Sequence, residues 1–328
     1  MPVDLSKSLV IGVSSRVLFD LERENAIFVE DGLDAFKRYQ LEHEDEVLAP
    51  GAGFRLVKAI LRLNGKIHGH RPAEVVIMSR NAVETSFRLF KSIDHYKLDI
   101  QRASLSGGSP LAPYLGAFKV DLYLTASESD VKTALEAGIA AAVVYPTAAE
   151  TVDPIDEIRI AFDGDAVLFS DEAERIYQES GVEAFIEHER AKAKEPLPEG
   201  PFARLLRTLH VLQTDKGFEK PPIRTALVTA RSMPSHHRVL NTFRAWDVHV
   251  DEAFFMGGVE KTDILRAFNP HIFFDDQEAH CRPASKVVST GRVPYGIKDQ
   301  FPELAVAKDD KLLLNLPPEY GSDDSSGV

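Results

Sequence analysis

The chain has a single cysteine, Cys281, in 328 residues. That excludes an intrachain disulfide and fits a reducing, cytoplasmic setting. It has no apolar run near the roughly 18 residues needed to cross a bilayer. The start, Met1-Pro2-Val3-Asp4, lacks the basic stretch and apolar core of a secretory leader, so no membrane role is expected. Positive charge is also scarce: 38 Lys and Arg stand against 51 Asp and Glu, a net charge of −13. A nucleic-acid polymer needs a basic face and is not an expected partner. A small anion remains open, because a metal, a lysine and backbone N–H groups can supply positive potential locally. The 44% hydrophobic and 27% charged content is that of an ordinary globular protein. Its length suits two domains or one large α/β domain.

Short apolar runs alternate with longer amphipathic stretches, which predicts an α/β fold with a mainly parallel, Rossmann-like sheet flanked by helices. The predicted strands are Leu9–Val13, Glu74–Met78, Asp121–Leu124, Ala140–Val144, Ile158–Phe162, Arg224–Val228 and His271–Phe274. The predicted helices are Gly32–His43, Phe54–Leu63, Ala82–Tyr96, Asp130–Ala137, Asp171–Ser180, Glu183–Ala193, Phe202–Gln213, His236–Trp246 and Thr262–Phe268. Residues 309–328 end in Gly-Ser-Asp-Asp-Ser-Ser-Gly-Val and read as a mobile tail.

A repeat runs through the chain at an offset of 149 to 151. Val17-Leu18-Phe19 recurs as Val167-Leu168-Phe169, Gly107-Gly108 as Gly257-Gly258, and Arg80 as Arg231. A nearly constant offset with matches in order predicts an internal duplication, with halves at 1–150 and 151–308.

The carboxylates of Asp163-Gly164-Asp165 follow the apolar run Ile158–Phe162. Two acids one residue apart at a strand's carboxyl end suit metal-assisted phosphoryl chemistry. Three further elements come later: Thr229 ending Leu227-Val228-Thr229-Ala230-Arg231, Lys261 after Gly257-Gly258, and Asp275-Asp276 ending Ile272-Phe273-Phe274. Parallel sheets bind ligands beyond the carboxyl ends of their strands, so these four can meet at one edge.

The ordered set resembles the haloacid-dehalogenase-like (HAD-like) phosphohydrolases, and more specifically the cytosolic type I 5′-nucleotidases. The stretches that carry the likeness are Phe162-Asp-Gly-Asp-Ala-Val-Leu-Phe-Ser-Asp-Glu172, Pro270-His-Ile-Phe-Phe-Asp-Asp-Gln277, Val13-Ser-Ser-Arg-Val-Leu-Phe-Asp20 and Tyr39-Gln-Leu-Glu-His-Glu44. The resemblance implies a Mg²⁺-dependent hydrolase of nucleoside 5′-monophosphates, with AMP the first candidate. Asp163 would be the nucleophile that forms an aspartyl-phosphate, and Asp165 the acid/base. Asp163, the Asp165 carbonyl, Asp275 and the more distant Asp276 would hold Mg²⁺. Thr229, Lys261 and the Gly164 turn would hold the phosphoryl oxygens. Arg231 is open to two readings, contact with phosphate or base and a structural ion pair. The helical stretch at about 171–222 resembles that superfamily's cap, with Tyr177, Phe185 and Phe202 as candidates to stack a base, although aromatics at helical spacing are more often core.

Near the same offset, Asp163, Asp165, Thr229, Lys261 and Asp275-Asp276 correspond to Val13, Ser15, Met78, Leu111 and Thr125-Ala126. The first half therefore reads as a catalytically empty copy. It is expected to support the site or form a homo-oligomer contact, with Ser15, Arg16, Arg80 and Asn81 candidates for nucleotide recognition. Two other readings stay open: a phosphatase of sugar phosphates or other small phosphomonoesters, and a nonenzymatic nucleotide or metal sensor. His68-Gly-His70 and His236-His237 lack a spaced cysteine or carboxylate partner and are read as surface or core histidines.

Overall fold

The computed structural model describes residues 4–67, 70–147, 157–232 and 235–296. The expected mobile tail, His68 and the side chain of Tyr177 lie outside them. The first half contains β1 (Leu9–Val13), α1 (Ser15–Leu18), α2 (Glu22–Glu42), α3 (Phe54–Arg62), β2 (Ala73–Ser79), α4 (Phe87–His95), β3 (Arg102–Leu105), α5 (Ala112–Ala117), β4 (Leu122–Thr125), α6 (Glu128–Glu136) and β5 (Ala140–Val144). The second contains β6 (Ile158–Phe162), α7 (Glu172–Ala191), α8 (Ala203–Thr214), β7 (Ile223–Thr229), α9 (His236–Trp246), β8 (Glu252–Phe255), α10 (Thr262–Phe268), β9 (Ile272–Asp275), α11 (Glu278–Ala284) and β10 (Thr290–Arg292).

All ten strands form one sheet in the order β3-β2-β1-β4-β5-β10-β9-β6-β7-β8. Each half has the same internal order, and its neighbours are parallel. β1 and β2 are buried along their whole length, as expected where helices cover both faces of a parallel sheet. The halves join through β5 and β10, which are antiparallel, with Gly291 opposite Val144. Gly291 is needed there: an added Cβ would lie 2.9 Å from Ala142 Cβ and 3.0 Å from the Phe274 ring.

One antiparallel contact turns the halves head to tail. The carboxyl ends of β1–β5 open on one edge of the sheet, and those of β6–β10 on the opposite edge.

The largest core cluster runs across both halves. It takes in Leu56, Val57 and Ile60 of α3 and Leu205, Leu206 and Leu209 of α8. Smaller clusters around Leu111, Leu115 and Tyr123, and around Leu265, Phe268 and Phe273, complete the two halves. The halves thus share one core.

Several expectations are corrected. α8 packs Leu205, Leu206, Leu209 and Leu212 into the core against the sheet, so it is a core layer and not part of a cap over the site. Phe202 is 0% exposed in that core and cannot stack a base. α2 begins at Glu22 and is broken at Gly32, where φ is +85°; α7 breaks the same way at Gly181, with φ +83°. Strands β3, β8 and β10 were not expected. The first two are half-exposed edge strands, and Thr290-Gly291-Arg292 has no strand-like pattern.

Candidate active site

Backbone pairing carries the predicted acids to one edge. Asp163 follows β6, and its N–H donates to Phe274 O of β9 at 2.7 Å. Thr229 ends β7, Asp275 ends β9, and Lys261 immediately precedes α10. Between Asp163 and Phe169 the chain makes a wide turn, closed by Phe169 N–H to Gly164 O at 2.9 Å. Ala166 within it has φ +58°, a left-handed conformation that residues other than glycine rarely adopt. Gly164 packs so tightly that an added Cβ would come within 3.2 Å of Thr229 Oγ1 and the Phe169 ring.

Lys261 lies between two buried carboxylates. Its Nζ is 2.6 Å from Asp275 Oδ2 and 2.9 Å from Asp163 Oδ1. The first contact is an aligned hydrogen bond. The second is close in distance but poorly aligned, and Asp163 Oδ1 is buried without a hydrogen bond. We read it as an ion pair. Burial pushes the Asp163 carboxyl up to about 6, with the Asp275 charge adding to the rise and Lys261 opposing it. Burial would raise Asp275 too, but Lys261 and His280 hold it below the usual carboxylate range. Burial opposes the charge on Lys261, yet its two carboxylate partners keep its pKa above the ordinary lysine value.

Oxygens of Asp163, Asp275 and Asp276 all lie within 4.8 Å of one another. Among the described residues, Lys261 is the one ammonium against the two buried carboxylates Asp163 and Asp275, and Asp163 Oδ1 is buried without a hydrogen bond. This all-oxygen set fits a hard divalent cation. Asp275 is further fixed by Gln277 N–H donating to Oδ1 at 2.9 Å and by His280 Nδ1 at 3.3 Å. Cys281 is fully buried beneath the site, and burial pushes its thiol well above the ordinary range.

Asp165 is gripped by Arg231, whose Nε and NH2 donate to Oδ2 and Oδ1, each at 2.7 Å. The remaining NH1 donates to Glu189 Oε2 at 2.8 Å, and Glu189 Oε1 accepts from Arg238 at 2.7 Å. Arg231 is thus committed to Asp165 rather than pointing freely at a ligand. Glu189, Arg238 and His280 were not singled out from sequence. His280 had a faint signal, five residues after Asp275; Glu189 on an amphipathic helix had none.

The structure does not bring the first-half candidates to this site. Ser15, Arg80 and Asn81 follow β1 and β2, whose carboxyl ends lie on the opposite edge of the sheet. Their contacts are local: Ser15 Oγ to Ser79 Oγ at 3.2 Å, Arg16 bidentate to Glu22 at 2.8 and 2.7 Å, Arg80 to Asp130, and Asn81 N–H to Ser79 Oγ at 3.1 Å. Recognition of a nucleotide by these four within the same chain's site is corrected on that ground.

The correspondence between halves is also corrected. Ser14 N–H donates to Leu124 O as Asp163 N–H does to Phe274 O, so Ser14, not Val13, is the counterpart of Asp163. Met256 N–H bonds Thr229 O as Ser106 N–H bonds Ser79 O, so Ser79, not Met78, matches Thr229. The first-half turn closes one residue sooner, through Phe19 N–H to Ser15 O.

A family model described as 5′-nucleotidase matches residues 1–300. The chain is 37% identical over 311 residues to human cytosolic 5′-nucleotidase 1B. That match covers 92% of this chain and 50% of the relative, so the chain spans about half the length of the protein it resembles. Among the described residues, no helix is long and apolar enough to cross a membrane.

Proposed function

The chain belongs to the 5′-nucleotidase family, and we propose that it hydrolyses nucleoside 5′-monophosphates, AMP among them, to nucleoside and phosphate in the cytosol. The observation that carries this reading is the pairing of Asp163 with Lys261 and Asp275 beside the clamped Asp165. A nonenzymatic sensor has no use for a nucleophile set next to an acid/base. We further propose that residues 1–150 and 151–308 are two similarly folded halves, of which only the second catalyses. Ser14, Ser79 and Thr125 keep hydroxyls at the matching strand ends of the first half. Leu111 stands in the place of Lys261, so none of the charge is retained.

In this mechanism an Asp163 oxygen attacks phosphorus and the bond from phosphorus to O5′ breaks. Asp165 gives its proton to O5′ as the nucleoside leaves. A water then attacks the aspartyl-phosphate, and Asp165 takes that water's proton as phosphate departs. Lys261 and Thr229 hold the phosphoryl oxygens, with the N–H groups of the Gly164 turn. Asp163, Asp275, Asp276 and the Asp165 carbonyl would hold Mg²⁺, which neutralises phosphoryl charge when bound.

The test is phosphate release from a panel of nucleoside monophosphates and sugar phosphates, with Mg²⁺ and with EDTA. AMP turnover that needs Mg²⁺ and falls at least ~1,000-fold in Asp163→Asn is the expected result. Full turnover in Asp163→Asn ends the nucleophile assignment. Preferential turnover of sugar phosphates ends the nucleotidase assignment.

A further inference from the structure

We infer that Arg231 and Glu189 are positioning residues for Asp165. They aim its carboxylate and are not part of the frame the fold requires. This rests on the acid/base role proposed for Asp165.

The grip is complete. Both Asp165 oxygens accept from one guanidinium at 2.7 Å, and Glu189 holds that guanidinium from behind at 2.8 Å. Arg231 and Glu189 are 5% and 6% exposed. Burying such charges is costly, and their mutual attraction does no more than offset the desolvation. A purely structural account must therefore show that the fold needs them.

The first half shows that it does not need them at these positions, although Arg88, the counterpart of Arg238, keeps a buried acid from elsewhere on α2, Glu24 at 2.5 Å. Asn81 N–H donates to Ser79 Oγ at 3.1 Å, as Arg231 N–H does to Thr229 Oγ1 at 3.2 Å. Asn81 therefore holds the place of Arg231. Helix α2 closes with His43 N–H on Tyr39 O, and α7 with Lys192 N–H on His188 O. Gln40 therefore holds the place of Glu189, and it is just as buried, at 4%. In the same arrangement, Arg88 Nε donates to Glu46 O at 3.0 Å, as Arg238 Nε does to Glu195 O at 3.2 Å.

So the arginine that fastens a loop carbonyl, Arg238, has an arginine counterpart. The two charges that touch or back Asp165 have neutral ones. In the first half the turn is one residue shorter and carries Arg16 where the second half has Asp165 and Ala166. Arg231, Glu189 and the acid/base are present together or absent together, in two copies of one scaffold.

The chemistry gives them a task. Asp165 must face O5′ in one step and a water in the next, and a misaim of about 1 Å costs on the order of a hundredfold in rate. A planar fork bound to both oxygens fixes the carboxylate's plane as well as its position. Glu189 lies on α7 beyond the break at Gly181, so the grip also ties that helix to the reacting groups.

The experiment is a kinetic double-mutant cycle on the full chain with saturating Mg²⁺ and AMP. Arg231→Gln is expected to lower kcat about 100-fold and Glu189→Gln about 10-fold, each with KM changed less than about threefold. Arg231→Lys recovers only part of the loss, because an ammonium cannot form the fork. In an Asp165→Asn background, Glu189→Gln and Arg231→Gln cost less than about twofold further, read as residual phosphate release at high enzyme concentration. Losses of the same factor in both backgrounds overturn the inference, since the residues then act without Asp165. Wild-type kcat in both clamp variants, with Asp165→Asn impaired, overturns it while sparing the acid/base reading. Full activity in Asp165→Asn removes both. Glu189→Gln installs the side chain the first half buries at Gln40 and leaves Arg238 its contact with Glu172 at 3.1 Å, so it keeps the test open should Arg231→Gln fail to fold.

Discussion

Replacing Lys261 with methionine should destabilise the metal-free protein and be partly repaired by either protons or Mg²⁺. Nζ lies 2.9 Å from Asp163 and 2.6 Å from Asp275, and the three side chains are 5%, 6% and 0% exposed. Removing one member of a buried ionic set costs about 3–5 kcal/mol, because the partners' desolvation is left uncompensated. Protonation limits the loss. Asp163 already titrates at about 6, raised by burial and by Asp275 against the pull of Lys261; without Lys261 its pKa goes higher still. By linkage, a carboxyl whose folded pKa exceeds the unfolded one destabilises the fold increasingly as pH rises through that window. The variant should therefore lose about 3 kcal/mol at pH 8 in EDTA, roughly a hundredfold in the folding equilibrium, and much less at pH 5. Saturating Mg²⁺ at pH 8 should restore a large part by returning positive charge to the same carboxylates. Urea unfolding followed by circular dichroism measures all three conditions. A Lys261→Met midpoint equal to wild type at pH 8 in EDTA would refute the claim that Lys261 neutralises this buried pair.

Two further outcomes rest on the same geometry. Mg²⁺ binding must displace the proton from Asp163, so affinity by calorimetry should be nearly flat above pH 7 and fall below pH about 6, approaching tenfold per pH unit; equal affinity at pH 5 and pH 7.5 would remove Asp163 from the ligand set. Arg80→Ala and Asn81→Ala should leave the KM for AMP within about twofold of wild type, because both residues lie on the far edge of the sheet; a tenfold rise in either would mean that the first half reaches substrate, for example from a second copy of the chain.

The candidate carboxylates and Thr229 were legible because each ends or follows a recognisable apolar run. Asp163 follows Ile158–Phe162, Thr229 ends β7 and Asp275 ends β9, and strand ends are where open parallel sheets place ligands. The direction of the first half was not legible. It depends on β10 pairing antiparallel with β5 through only two residue pairs. Thr290-Gly291-Arg292 has neither alternation nor an apolar run to announce a strand. Without that strand, Ser15 and Arg80 are free to join the site; with it, they face away. Glu189 was invisible for another reason. An acid in an amphipathic helix reads as solvated, and only tertiary contact with Arg231 and Arg238 shows that it is buried.

The register of the repeat slips within the one turn that matters, and the slip has a physical meaning. The offset is 149 up to Ser15 and Gly164, 150 at Val17–Phe19 and Val167–Phe169, and 149 again by the breaks at Gly32 and Gly181. One extra residue therefore sits between Gly164 and Val167. Beyond it the halves coincide again: Gly51 N–H meets Leu18 O at 2.9 Å, and Gly200 N–H meets Leu168 O at 2.8 Å. The extra residue widens the turn by one member and forces Ala166 to φ +58°, a strain on the order of 1 kcal/mol. The first half makes the same connection without that cost. Single-residue widenings of helical turns recur at functional sites because they re-aim a side chain and leave the chain beyond them undisturbed. Here the re-aimed side chain is Asp165, and the residue that receives it, Arg231, is charged only in this half. The insertion and the clamp are thus two parts of one change to a scaffold that is otherwise used twice.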